Sequence, residues 1–388
     1  MDKNLFTSNS PGKPVKIRIS EQQDWAFIPD DLPTRMDISQ EIWPLLRDAH
    51  RELVRLDTTA KQIPNYELFL KPLQAREALT SSSLEGTYVT PEELLLYEID
   101  PRIPKSQHDR VNSWKEVSNY SKSLRKGQEL LNELPVCLRL ITELHKELLH
   151  DVRGNERNPG EFRDRQVHIG SDRRFIPPPH EEALECLYKL ERYIHEPNDI
   201  DPLVLCFLVH YQFETIHPFL DGNGRVGRLL LSLMIFKSCK LERPWLYLSA
   251  FFDKYKEEYI TNLFNVSSKG DWNNWIAFCL RATIHQAKDA VSRFDRLVSL
   301  RESYRDRISK TKISNRGYKI IDILFNELPI ISITQISKKF DITYHTAKND
   351  IELLVKQDIL KKAPFKTRPK FFLSPDIMSV AHTHIEIE

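Results

Sequence analysis

The stretch His217-Pro-Phe-Leu-Asp-Gly-Asn-Gly-Arg-Val-Gly-Arg228 gathers chemistry that the rest of the chain lacks. Three of the 11 glycines in 388 residues, Gly222, Gly224 and Gly227, fall within six positions of it. Apolar runs flank it, Leu203 to Phe213 before and Val226 to Phe236 after, so the pattern predicts a tight loop between two buried helices. A Gly-Asn-Gly turn entering a helix aims several backbone N–H groups and the positive end of the helix dipole at one point, an anion site suited to phosphate. Beside it Asp221 offers a hard oxygen to Mg²⁺, an ion that bridges one or two carboxylates to substrate phosphates. Arg225 and Arg228, three apart, share a helix face and can fork onto further phosphate oxygens. His217 titrates near neutrality and suits a general base.

Together these residues describe a site for nucleophilic attack on a nucleotide phosphate. His217 takes the proton of an incoming hydroxyl, and Mg²⁺ with the Gly222-Asn223-Gly224 amides bears the transition-state charge. Taken singly, each has a plainer role: glycines turn a chain, a histidine caps a helix, arginines make surface salt bridges. Their concentration in one segment favours the chemical reading.

Outward from the motif, 388 residues suffice for two or three domains. So few glycines disfavour turn-dense sandwiches and barrels and favour long helices. The 56 Lys+Arg against 55 Asp+Glu give a net charge of +1, which excludes a global field toward nucleic acid or anionic membrane. Five scattered cysteines without a C-x-x-C pair suit inert thiols in a reducing cytoplasm and argue against zinc. No apolar leader opens the chain, and no run approaches the roughly 18 apolar residues of a membrane span, so a cytoplasmic protein is expected.

Residues 1–35 read as a polar, proline-dotted lead-in. Helices are expected from near Asp37, from Pro72 in a first turn to about Leu84, and from Pro91. Pro101 to Pro104 reads as a linker. Residues 109–294 are helical except for 153–179, where Gln166-Val-His-Ile169 and Arg173-Arg-Phe-Ile176 predict a small β-hairpin. After Ser314 come helices at Tyr318–Phe325, Thr334–Phe340 and Thr343–Lys356, then a basic stretch from Lys361 to Leu373, the pattern of a winged helix-turn-helix.

The central segment resembles the signature of the Fic proteins, H-x-F-x-[DE]-G-N-G-R-x-x-R, at His217, Phe219, Asp221, Gly222, Asn223, Gly224, Arg225 and Arg228. The resemblance implies a mainly α protein: a Fic-type helical core with a β-hairpin flap (105–295), a helical N-terminal domain (1–100) and a C-terminal winged helix-turn-helix (312–376). It implies transfer of AMP from ATP to Ser, Thr or Tyr hydroxyls of target proteins and of the chain itself, releasing pyrophosphate. The intact Gly-Asn-Gly-Arg favours this over the related Doc-like kinases. His217 then corresponds to the general base and Asp221 to the Mg²⁺ ligand. Gly222, Asn223 and Gly224 form the anion hole, Arg225 and Arg228 the triphosphate clamps, and Val226 and Gly227 complete the nucleotide-binding stretch. Phe219 is structural. The hairpin resembles the family's flap, with Ile169 and Gly170 in the nucleotide site and the target strand pairing along its edge; an ordinary surface hairpin is the other reading. Tyr259 is similar to the adenine-pocket aromatic, or is simply core.

Ser81-Ser-Ser-Leu-Glu85-Gly86 resembles the family's inhibitory motif, [ST]-x-x-x-E-[GN]. Ser81 and Glu85 share a helix face, and Gly86 suits a left-handed C-cap. The resemblance implies that Glu85 pairs with Arg228 and denies the ATP γ-phosphate its partner; the plainer alternative is a solvated glutamate. At the C-terminal end, Tyr344, Ala347, Ile351 and Leu354 form an apolar face and leave His345, Lys348 and Asn349 outward. With the basic wing this leaves DNA contact open, although Asp350 and Glu352 would repel phosphate. The alternative function is therefore a DNA-binding transcriptional regulator using the nucleotide site as a sensor. A homodimer is likewise left open.

Overall fold

The computed structural model describes residues 1–19, 22–61, 67–152, 158–170, 173–311, 313–364 and 369–383. Its first regular element corrects the expected lead-in. Residues 1–35 contain an antiparallel pair, β1 (Gly12–Ile19) and β2 (Gln22–Pro29), with Gly12 opposite Pro29. Val15, Ile17 and Ile19 alternate with Lys16 and Arg18, a period of two that the neighbouring prolines obscure. Phe27 is fully buried, stacks on Phe6 at 5.1 Å and approaches Phe175 at 5.7 Å.

Next come α1 (Trp43–Lys61), α2 (Glu67–Leu84) and α3 (Pro91–Ile99). Leu46, Ala49, Leu53, Leu56 and Ala60 form the buried stripe of α1. Pro72 lies inside α2 rather than in its first turn, because the helix begins at Glu67. α3 starts as its sequence dictates, with Pro91 in the first turn and Thr90 and Glu93 in a reciprocal capping box.

The central helices are α4 (Val111–Leu130), α5 (Leu138–Leu148), α6 (His180–His195), α7 (Pro202–Ile216), α8 (Asn223–Ser238), α9 (Ser249–Lys254), α10 (Lys256–Lys269) and α11 (Trp272–Ser309). α7 and α8 pack against each other and are apolar almost all round, so they occupy the core. Asp201 caps α7 by accepting from the N–H groups of Leu203 and Val204. α1 lies along α11, which continues unbroken past residue 295 to Ser309. The expected end of the core thus falls inside a helix. Between α5 and α6 the predicted hairpin shows, among the described residues, a single bridge, Ile169 opposite Phe175. Gly154 and residues 171–172 lie outside the described residues.

The C-terminal elements are α12 (Ser314–Asn326), β3 (Ile330–Ser332), α13 (Ile333–Phe340), α14 (Tyr344–Lys356), β4 (Lys361–Lys362), β5 (Phe371–Leu373) and α15 (Pro375–His382). The three strands form an antiparallel sheet in the order β3-β5-β4. Part of the basic stretch, 365–368, lies outside the described residues. Asp350 does not face outward from α14: it is buried and paired with Arg316 at 2.7 Å. With fifteen helices and two small sheets among the described residues, the chain is mainly α. No helix among them is long and apolar enough to cross a membrane.

Candidate active site

The loop between α7 and α8 is built to hold its shape. His217 ends α7 in the left-handed conformation (φ 51°, ψ 60°), and Gly222 enters α8 in the same region (φ 74°). Between them the Asn223 side chain clamps Phe219, accepting from its N–H and donating to its carbonyl, both at 2.8 Å. The Phe219 ring is fully buried and stacks on His145 with centroids 3.7 Å apart. That imidazole ties two further segments together: the Gly160 N–H donates to its Nδ1 at 2.9 Å, which leaves Nε2–H to donate to the Asp221 carbonyl at 3.1 Å. Arg163 donates through Nε to the His217 carbonyl at 2.9 Å, and its own N–H donates to Pro218 O at 2.9 Å. Sequence reasoning missed both His145 and Arg163, because each acts on backbone carbonyls far away along the chain and carries no local signature.

The His217 tautomer follows from its partner. Nδ1 lies 3.3 Å from the Glu214 carbonyl, which can only accept, so Nδ1 carries the proton and Nε2 keeps its lone pair. Burial pushes this imidazole down to about 4, against smaller opposing effects of the Glu214 carbonyl and the Glu85 carboxylate. It is therefore neutral and able to accept a proton at pH 7.

At the start of α8 the N–H groups of Asn223, Gly224 and Arg225 precede the first intrahelical bond, from Val226 N to Gly222 O at 2.9 Å. Arg225 is buried, and its Nε and Nη1 have no hydrogen-bond partner among the described residues. Arg228, only 3% exposed, donates through Nε to Ser81 Oγ at 2.8 Å. Its Nη2 donates to Ser81 O at 2.9 Å and to Glu85 Oε1 at 2.7 Å. The Glu85 carboxylate lies directly over the first turn of α8: a Cβ placed on Gly224 would collide with Glu85 Oε1. Burial works to raise the Glu85 carboxyl, but Arg228 and, more weakly, Arg225 outweigh it and hold it below its ordinary value. Gly86 follows at φ 84°, the left-handed end of the helix.

Other expected residues are placed differently. Val226 is fully buried in the core and Gly227 packs against Glu214 and Phe213 of α7, so neither faces the turn. Tyr259 is also core. Its ring stacks on Phe252 at 4.5 Å and its hydroxyl donates to His210 Nε2 at 2.8 Å, while His210 Nδ1–H is spent on the Gly227 carbonyl. Ile169 N donates to Phe175 O at 2.9 Å, and Gly170 is exposed at the tip. Asp221 Oδ1 accepts from the Gly222 N–H at 2.7 Å and lies 3.9 Å from Arg225 Nη2. Among the described residues no group of three or more His, Cys, Asp or Glu is placed to hold a metal. A cation at Asp221 would therefore need phosphate oxygens and water to complete its shell, which fits the habit of Mg²⁺.

Residues 43–129 match the Fic/DOC family N-terminal model, and residues 135–235 match the Fic/DOC family model. Proteins named protein adenylyltransferase Fic from Drosophila grimshawi and Drosophila mojavensis are 33% and 34% identical over 111 residues, which is 28% of this chain. The match spans only 22% and 21% of those relatives' own length. A Fic family protein from Desulfovibrio desulfuricans G20 superposes with a TM-score of 0.58 at 18% identity, covering 87% of this chain and 97% of that one. Fic-1 from C. elegans gives 0.50 at 20% identity, covering 65% and 73%. The likeness to the Fic/DOC family thus runs through residues 43–129 and 135–235, just under half of the chain.

Proposed function

We propose that this chain is a protein adenylyltransferase that its own α2 holds idle. The observation that carries the reading is the position of the Glu85 carboxylate. It stands as an anion over the first turn of α8, on Arg228 and beside Gly224, where a nucleotide phosphate would be received. The unpartnered Nε and Nη1 of buried Arg225 support the same reading, since buried donors normally have acceptors and a triphosphate supplies them.

In the reaction, His217 Nε2 accepts the proton of a target hydroxyl as its oxygen bonds to the α-phosphorus of ATP. The bond from that phosphorus to the pyrophosphate oxygen breaks, and pyrophosphate leaves with the electron pair. The α8 amides and Arg225 stabilise the charge that develops. Mg²⁺ at Asp221, when bound, neutralises phosphate charge. A target strand would add to the edge near Ile169 and Gly170 and bring its hydroxyl toward His217. The domain limits 1–100, 105–295 and 312–376 and the winged-helix assignment of the last belong to this proposal, as does a cytoplasmic setting.

With Glu85 on Arg228 the γ-phosphate has no partner, and a misplacement of about 1 Å at the reacting phosphorus costs on the order of a hundredfold. Labelling with ³²P-α-ATP tests both parts. Glu85→Gly should raise labelling of the chain by about tenfold or more, and His217→Ala on that background should abolish it. Equal labelling by wild type and Glu85→Gly would remove the brake; labelling without His217 would remove the mechanism.

A further inference from the structure

Away from the nucleotide site, a cavity of about 720 Å³ lies between α2, α3 and α4 on one side and α12 and α15 on the other. That volume is in the range of small-molecule sites, about 300–1,000 Å³. Leu94, Leu95, Phe325, Leu328, Ile377 and Met378 give it apolar walls. Two polar atoms in those walls have no hydrogen-bond partner among the described residues: Ser121 Oγ, on a side chain 3% exposed, and His382 Nδ1. Buried polar atoms are seldom left unpaired, and both line one space.

Its lining carries Lys71, Lys122 and Arg125 against two carboxylates, Glu98 and Glu327, and Glu327 is paired with Lys339. Lys71 donates to the Asn326 carbonyl at 3.3 Å. Neither Lys122 nor Arg125 forms an ion pair within 4.0 Å among the described residues. Burial raises the Glu98 carboxyl above its ordinary value, opposed by Arg125, Lys71 and Lys122.

We propose that this cavity binds an amphipathic anion, an apolar body ending in one carboxylate or phosphate, with its head between Lys122 and Arg125 and its body on the apolar walls. The cavity is also tied to the catalytic site. Its α2 wall reaches Ala75, about 15 Å along the same helix from Glu85. We take its shape to depend on the seating of α2 that holds Glu85 on Arg228, in which case an occupant stabilises that arrangement and slows labelling. This coupling rests on the proposed brake; the binding site does not.

Isothermal titration of the full chain with dodecanoate, dodecyl phosphate and dodecyltrimethylammonium, each below its aggregation concentration, tests the site. One saturable site for an anion and none for the cation is expected, and the two anions distinguish the preferred head group. Replacing both cations, Lys122→Glu with Arg125→Glu, should weaken anion binding by about tenfold or more at unchanged Tm. Glu98→Gln should tighten it. No saturable isotherm with either anion, equal binding of the cation, or an unaltered double variant overturns the site. Dodecanoate should also lower wild-type labelling and leave Glu85→Gly labelling unchanged although that variant still binds. Binding without any effect on wild-type labelling overturns the coupling. If Glu85→Gly is no more active than wild type, the coupling falls with the brake, and the isotherm still decides the site.

Discussion

His217 combines a free Nε2 with an environment that disfavours its charge. Because burial lowers its proton affinity, the acid limb of labelling by Glu85→Gly should lie nearer pH 4 than 6.5 in kcat/KM, which reports the free enzyme. A limb near 6.5 would mean that the imidazole is not desolvated. Glu85 responds to pH in the opposite chemical sense. Its carboxyl is held below 4.5, so the ion pair persists above that value and is lost only as pH falls through the lowered one. Neutral pH changes therefore should not release the brake. Gly224 offers a second check. A Cβ there would meet only the ends of the Glu85 and Arg228 side chains, at 2.2 and 2.9 Å, and these can swing away. Gly224→Ala should leave the chain folded by circular dichroism, yet keep labelling at background even when combined with Glu85→Gly, because the methyl occupies the phosphate's place. The gathering of His217, Asp221, Gly224 and Arg228 around one loop was legible in the residues themselves. Arg163 and His145 were not, since what matters is the carbonyl each one meets, and only the fold brings those carbonyls near.

At the scale of the element, α2 can hold Glu85 on Arg228 because its middle is fixed to three other helices. Glu77 accepts from Tyr120 of α4 at 2.8 Å and from Ser249 at the start of α9 at 2.5 Å. The preceding residue, Arg76, pairs with Asp289 of α11, and Asp289 also takes both forks of Arg293 at 2.8 and 3.0 Å. Asp289 and Arg293 are each 1% exposed. Removing one partner of such a buried network leaves uncompensated charge, so Asp289→Asn should cost about 3–5 kcal/mol in urea unfolding. The existence and end of α2 could be read from Leu84-Glu85-Gly86, where the glycine sits at positive φ. Its start could not, because a proline that suits a first turn is here accommodated five residues into the helix. β1 was missed for a related reason. Its alternation of Val15, Ile17 and Ile19 with basic residues was present, but prolines on either side weighed toward irregular chain.

Across the whole molecule, neutral buried histidines couple folding to pH. His145 and His210 are 0% and 2% exposed and are pushed down to about 4 and about 3, chiefly by burial. The unfolded chain protonates both near 6.5 and the folded chain does not, so stability falls as pH drops from 6.5 toward those values. Each contributes up to about 1.4 kcal/mol per pH unit over that interval. The urea midpoint should therefore be clearly lower at pH 5 than at pH 7; equal midpoints would mean that these imidazoles are solvated or already charged.

Sequence alone determined the mainly helical class, the glycine turn between two buried helices and the identity of the groups around it. Those follow from glycine placement, helical periodicity and side-chain chemistry, which act over a few neighbouring residues. Tertiary structure decided what those groups meet. It set Glu85 on Arg228 across 143 positions of chain, spent Tyr259 and Asp350 on buried partners, and packed β2 beside the segment that leaves the 166–176 loop through the Phe27 N–H to Ile176 O bond of 2.8 Å. It also left a partly polar cavity between the N-terminal and C-terminal helices. Such pairings depend on how separate amphipathic faces close on one another, and no local pattern encodes that distance.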